Sequence, residues 1–206
     1  MKRGHVRRKG GNALLEDGYL PASVGQAEDK FVVLSGCSGG GKSRLLSALA
    51  ARGYRVFAEP GRQVIREQNY IGGDATPEKD VLKFLDFTIS RTLYHMTSAA
   101  STDAVVFFDR SIVDQVAGFE RMGLEMPAHL KRAAELFRCH HRVFIVPPWR
   151  EIFRNDAERR HSFEDAVANH EVQMKTYERF GYELVMVPKL SVEGRADFVL
   201  KTLSSM

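Results

Sequence analysis

A chain of 206 residues, 44% of them hydrophobic and 27% charged, is long enough to bury one sizeable core and short for two. No stretch reaches the roughly 20 apolar residues of a membrane-spanning helix, and the basic N-terminus is followed by no apolar run like that of a secretory leader, so a cytoplasmic location without a membrane partner is expected. The net charge of +4 sits in the first nine residues, where Lys2, Arg3, Arg7, Arg8 and Lys9 stand without an acid; the remainder sums to −1, which speaks against an extended nucleic-acid-binding face.

Residues 1–29 show no sustained periodicity and are expected to form a flexible basic tail. From residue 30 strand and helix signals alternate, the pattern of a parallel sheet with helices on both faces. A first apolar strand spans 31–35, and a helix over 43–52 follows with Leu45, Leu46, Leu49 and Ala50 inward. A second strand is expected over 54–58. After Pro77 a long helix carries Leu82, Leu85, Ile89, Leu93 and Met96 at three- and four-residue steps, as a core face rather than a binding face. The fully apolar run 104–108 suits the interior of a parallel sheet and ends at Asp109. Strands over 142–146 and 183–187, a helix over 163–180 and a last helix over 191–203 complete the domain, 30–206. The charged, interrupted stretch at about 150–162 is placed where a lid would sit.

Between the first strand and first helix lies GCSGGGKS, Gly36 to Ser43, a phosphate-loop string in the context it requires. Glycines at 36, 39, 40 and 41 let backbone N–H groups turn around phosphate oxygens, and the helix start adds its dipole. Cys37 and Ser38 complete the loop. Lys42 is expected on the β- and γ-phosphates and Ser43 on Mg²⁺, with ATP as the nucleotide; GTP is disfavoured because no Asn-Lys-x-Asp string is present. Cys37 and Cys139 are too few for a disulfide framework.

Asp109, at the carboxyl end of a buried strand, is either a second Mg²⁺ ligand or a helix cap. Glu59 and Arg62, in EPGRQVIRE after the second strand, stand over an expected acceptor pocket, Glu59 as proton acceptor, unless they form only a surface ion pair. Arg110 and Asp114, four residues apart, are binding groups or an i,i+4 pair on one helix face. Arg154, Arg159 and Arg160 supply cations to the lid, with Arg159 foremost for the transferring phosphate. Trp149, in PPW, either stacks on a base or anchors the lid hinge. His140, His141 and His161 lack metal-ligand spacing, so no structural zinc is expected.

These motifs together resemble the P-loop ATPase and kinase-like family AAA_28, which includes the nicotinamide riboside kinase domain of bacterial NAD regulators. The resemblance rests on GCSGGGKS, EPGR, DRSIVD, PPW followed by NDAER, and GYELVMVP, in that order, over about 175 residues. It implies a three-layer α/β domain with a five-stranded parallel sheet in order 2-3-1-4-5, a lid, and a nucleotide base near the loop after the last strand, around Pro188 to Ser191. The Asp109–Arg110 pair is also similar to an element of deoxynucleoside and thymidylate kinases in which the acid lies near Mg²⁺ and the arginine near the reacting phosphates. No second helical domain of the kind carried by ring-forming motor ATPases is expected. The function these readings favour is γ-phosphoryl transfer from ATP to a small nucleoside- or nucleotide-like acceptor by a monomer or homodimer. A regulatory ATP- or GTP-binding protein without an acceptor is the alternative.

Overall fold

The computed structural model describes residues 18–154 and 162–204. Five parallel strands, β1 (Phe31–Gly36), β2 (Arg55–Phe57), β3 (Val106–Asp109), β4 (Arg142–Val146) and β5 (Glu183–Met186), form one sheet in order β2-β3-β1-β4-β5. This is the order the family resemblance implies. β1 runs between β3 and β4, with Leu34 beside Asp109 on one side and Phe144 on the other. The carboxyl ends of β1 and β3 therefore lie side by side, at the edge where open α/β sheets bind ligands.

Alternation along β1 divides the core. Val32 and Leu34, with Phe107, Phe144 and Val146, face α1 (Lys42–Ala51) and α7 (Val192–Ser204) through Leu45, Leu49, Ala196 and Val199. Phe31 and Val33, with Phe108, Val143 and Ile145, face Met96 of α3 (Val81–Ala99), Val113 of α4 (Ile112–Arg121) and Tyr177 of α6 (Phe163–Arg179). A third apolar cluster joins α3 and α4 to α5 (Ala128–Leu136) through Leu85, Ile89, Val116 and Leu130.

Three sequence expectations change. The buried face of α3 is Leu85, Thr88, Ile89, Thr92 and Met96, while Leu82 points outward, 52% exposed, because the polar threonines lie on the inner stripe and carry it round the helix. Segments 60–71 and 128–136, not assigned as helices from sequence, form α2 (Pro60–Ile71) and α5; α2 opens on Pro60 and closes on left-handed Gly72. The ordered domain also starts before residue 30: a 3₁₀ helix over Pro21–Gln26 places Val24 wholly inside the core. Among the described residues no helix is long and apolar enough to cross a membrane.

The core contains a source of acid sensitivity. His95 packs against the Phe57 ring at 4.8 Å, and burial, with the nearby Arg91 charge, lowers its pKa to about 4. Between its ordinary value near 6.5 and 4, the unfolded chain binds a proton that the folded chain refuses, so stability falls as pH is lowered through that window. The loss from His95 alone is about 3 kcal/mol by pH 4. His95→Phe is expected to flatten the pH dependence of the urea midpoint between pH 6.5 and 4; an unchanged slope would assign the sensitivity to other groups.

Candidate functional site

β1 delivers the chain to the phosphate loop with no room for side chains. Gly36 has φ 101°, and a Cβ there would lie 2.4 Å from the Val146 carbonyl oxygen. Gly41, with φ 85°, turns the loop into α1. Two loop N–H groups are held internally: Cys37 donates to the Val146 carbonyl at 3.0 Å and Gly40 to the Cys37 carbonyl at 3.1 Å. Cys37, buried and tied this way, therefore shapes the loop. Lys42 is only 5% exposed, and its Nζ donates to the Cys37 and Gly36 carbonyls at 3.2 and 3.4 Å. Burial lowers its pKa and the Arg110 charge adds to that, opposed by Asp109, Glu59 and Asp114.

A cavity of about 420 Å³ opens above this loop. Gly39, Gly41, Lys42 and Ser43 form its floor, Glu59, Arg62 and Asp109 one wall. The opposite wall is Trp149, Ile152, Arg154, the 190–192 segment and Arg195. Of the segment Pro188 to Ser191, Leu190 and Ser191 line the cavity and Pro188 does not. Arg195, 4% exposed, donates Nη1 to the Gly40 carbonyl at 3.0 Å, and its guanidinium carbon stands 5.6 Å from the Trp149 ring centre. Trp149 is thus on the cavity wall. Arg154 reaches the same cavity while donating to the Phe153 carbonyl at 2.7 Å. Arg159 and Arg160 lie outside the described residues, as do Asp156 and His161.

Asp109 ends β3 at the cavity, 2% exposed, and its Oδ1 is buried without a hydrogen-bond partner. Burial, with Glu59 and Asp114 adding, pushes its pKa up to about 6 against the pull of Lys42 and Arg110. The next residue, Arg110, adopts φ 75°, a left-handed conformation that costs a non-glycine residue about 1 kcal/mol or more. It precedes α4, so the expected helix face shared with Asp114 does not exist. The pairing forms nonetheless: Nη1 donates to Asp114 Oδ1 at 2.9 Å while Nε donates to Glu59 Oε1 at 3.0 Å.

Of the two roles expected for Asp114, the pair with Arg110 is formed; Asp114 also lines a cavity on the far side of Glu59, but with its carboxylate committed to protein partners. Its Oδ1 accepts from Ser35 at 2.6 Å as well as from Arg110, and its Oδ2 accepts from the Ser111 N–H at 2.9 Å and the Tyr177 hydroxyl at 2.5 Å. Four bonds fill the carboxylate, so Asp114 acts by fixing Arg110. Arg62 departs from its expected place over the acceptor pocket: it lines the loop cavity beside Glu59, with Nε 3.7 Å from Glu59 Oε2.

A second cavity, about 520 Å³, lies on the other side of Glu59, which lines both. Val81, Phe84 and Leu85 of α3 and Met122 give it an apolar wall; Gln115 of α4 and Asn169 and Gln173 of α6 give it neutral polar groups. Ser38 and Arg110 also reach it. The amino half of α3, read from sequence as core alone, is thus part of a site. Burial raises the Glu59 pKa less than Arg110 and Lys42 lower it, and the carboxyl is held near 2.

A profile of the AAA_28 family, described as an AAA domain, matches residues 31–195. The chain belongs to the AAA_28 family. This AAA_28 domain shares its fold with a deoxyadenosine kinase from M. mycoides solved with its products dCMP and a flexible dCDP bound: TM-score 0.59 at 17% identity, covering 85% of this chain and 100% of that one. The same kinase with bound dATP gives a TM-score of 0.54 at 16% identity, covering 85% and 99%. Thymidylate kinase from Ehrlichia chaffeensis gives 0.54 at 16%, covering 85% and 98%. No curated protein matches the chain in sequence. The AAA_28 domain therefore has the three-layer architecture of P-loop nucleoside and nucleotide kinases.

Proposed function

We propose that this protein is an ATP-dependent kinase that transfers the γ-phosphoryl group to a hydroxyl or phosphate oxygen of a nucleoside- or nucleotide-like acceptor. The observation that carries this reading is Glu59, a half-buried carboxylate bordering both the loop cavity and a separate, partly apolar cavity. A nucleotide switch has no use for the second space. The kinases of deoxyadenosine and thymidylate that share the fold support the acceptor class.

In this reading Gly39–Gly41 and Lys42 bind the phosphates of ATP, Arg154 adds a cation, and Trp149, Leu190 and Arg195 hold the base end. The unpaired Oδ1 of Asp109 and the Ser43 hydroxyl are the oxygen donors that suit Mg²⁺, the remaining ligands coming from phosphate and water. When bound, Mg²⁺ would supply neutralisation of charge on the phosphate oxygens. For a hydroxyl acceptor, its oxygen forms a bond to the γ-phosphorus, the bond to the β–γ bridging oxygen breaks with its electron pair leaving on ADP, and the hydroxyl proton passes to Glu59. A carboxylate with so low a pKa is a weak base, and the loose transition state of phosphoryl transfer asks mainly that it orient the hydroxyl. Arg110 sets Glu59 through their shared bond and lines the acceptor cavity.

ADP release with Mg²⁺-ATP, alone and against nucleosides, nucleotides, sugars and pyridine ribosides, tests this function. An acceptor that raises the rate at least about tenfold is expected; slow release indifferent to every acceptor would favour a regulatory ATPase. Glu59→Gln should lower acceptor phosphorylation by about 10²-fold with little change in ATP affinity. Asp109→Asn removes a carboxylate that is ionised at a cost, and should raise the stability of nucleotide-free protein at pH 8 by about 3 kcal/mol. A fall in the denaturant midpoint would show that the Asp109 charge is structural.

A further inference from the structure

The face of α6 toward α4 is buried and polar. Ala166, His170, Gln173 and Tyr177 follow one another at three- and four-residue steps, and all four are buried. Tyr177 is satisfied by Asp114 and Ser111. Gln173 is not: it is 3% exposed, its Oε1 is buried without a hydrogen-bond partner, and it lines the second cavity. A buried carbonyl left unpaired is destabilising, and native structures keep few of them without a reason.

What surrounds Gln173 restricts what completes it. A carbonyl oxygen accepts, so the missing partner is an N–H or O–H donor. Phe84 with Val81 and Leu85 gives the cavity an apolar wall suited to a flat ring, and the neutral amide of Gln115, itself buried, adds a group able to donate and accept. The hydroxyl end of an acceptor belongs at Glu59, which borders the phosphate-loop cavity; Gln173 lines only the second one. Neutral amides pair with the amino and amide edges of heterocyclic bases.

Resting on the acceptor reading above, we propose that Gln173 reads the acceptor by accepting a hydrogen bond from an amino group on its ring. The acceptor is then a nucleoside-like molecule bearing such a donor, and analogues that lack it are discriminated against. Gln173 is a specificity-determining contact in a site whose chemistry is performed elsewhere.

Titration calorimetry with ADP and Mg²⁺ present tests this on two matched pairs: adenosine against purine riboside, and cytidine against pyrimidin-2-one riboside. The members of each pair differ only by the amino group. Wild-type protein is expected to bind the amino-bearing member of at least one pair about 10- to 100-fold more tightly. Gln173→Leu, which replaces an unpaired amide by an apolar group of similar size, should bring that ratio within about threefold of unity, leave ADP affinity unchanged, and keep or raise the urea midpoint. Binding by wild type without discrimination, or a ratio preserved in Gln173→Leu, overturns the role of Gln173 and leaves the acceptor cavity standing. Failure of wild type to bind any of the four nucleosides overturns this inference, while stimulation of ADP release by another acceptor would leave the kinase reading standing.

Discussion

Arg110→Ala is expected to destabilise the nucleotide-free protein by about 3–5 kcal/mol, the loss that follows when one member of a buried charge pair is removed. The buried guanidinium bridges Glu59 at 3.0 Å and Asp114 at 2.9 Å. Burial works against its charge, but Glu59, Asp114 and Asp109 outweigh that and raise its pKa above the ordinary value. Without Arg110, Asp114 keeps Ser35, the Ser111 N–H and Tyr177 but loses the cation hydrogen-bonded to it, and Glu59 loses its 3.0 Å partner. Alanine keeps the left-handed backbone strain and contributes nothing in return. Urea unfolding of Arg110→Ala and of Arg110→Ala/Asp114→Asn measures the coupling. The second change should recover part of the loss. A single-variant loss below about 1 kcal/mol would mean that these charges are effectively solvated.

Lys42→Ala is expected to abolish measurable ATP binding and lower any phosphoryl transfer by about 10³-fold or more, since it removes a preorganised cation from the place where phosphate charge builds. The lysine also has a structural role. Its Nζ bonds to the Cys37 and Gly36 carbonyls, so the ammonium ties the loop to the start of α1. Lys42→Ala should therefore also loosen the loop, read as faster amide exchange over residues 37–41. ATP affinity within tenfold of wild type would contradict the assignment of this cavity to the phosphates.

What could be read from the sequence divides by whether the signal is contiguous. GCSGGGKS is one string with its strand and helix attached, and Asp109 ends an apolar run, so the loop and the acid at its side were legible residue by residue. The sheet order followed from the family resemblance, because spacing alone does not say which strands are neighbours. The second cavity is assembled from separate segments, the phosphate loop, α2, α3, α4 and α6; Glu59 and Arg110 stand in strings singled out from the sequence, but α3 and α6 carry no motif for it. Gln173 and His170 look like the solvent side of an amphipathic helix, since periodicity does not distinguish a polar residue in water from one buried against a cavity. Arg195, inside the last helix, is hidden for the same reason. For Asp114 the pairing with Arg110 was one of two expected roles, but its other partners were not legible: Ser35 and Tyr177, 79 and 63 residues away in sequence, fill its remaining lone pairs. Leu82 and Val24 show the same limit at the surface and in the core, for tertiary packing turns the first outward and draws the second in.

Whether phosphate leaves ATP for a molecule held in the second cavity is decided by the fate of the label from γ-labelled ATP. With Mg²⁺ and the acceptor that most stimulates ADP release, label is expected in the phosphorylated acceptor, one per ADP formed, with inorganic phosphate a minor product and neither formed by Lys42→Ala. Label appearing only as inorganic phosphate, at a rate no acceptor changes, would contradict the kinase and leave an ATPase.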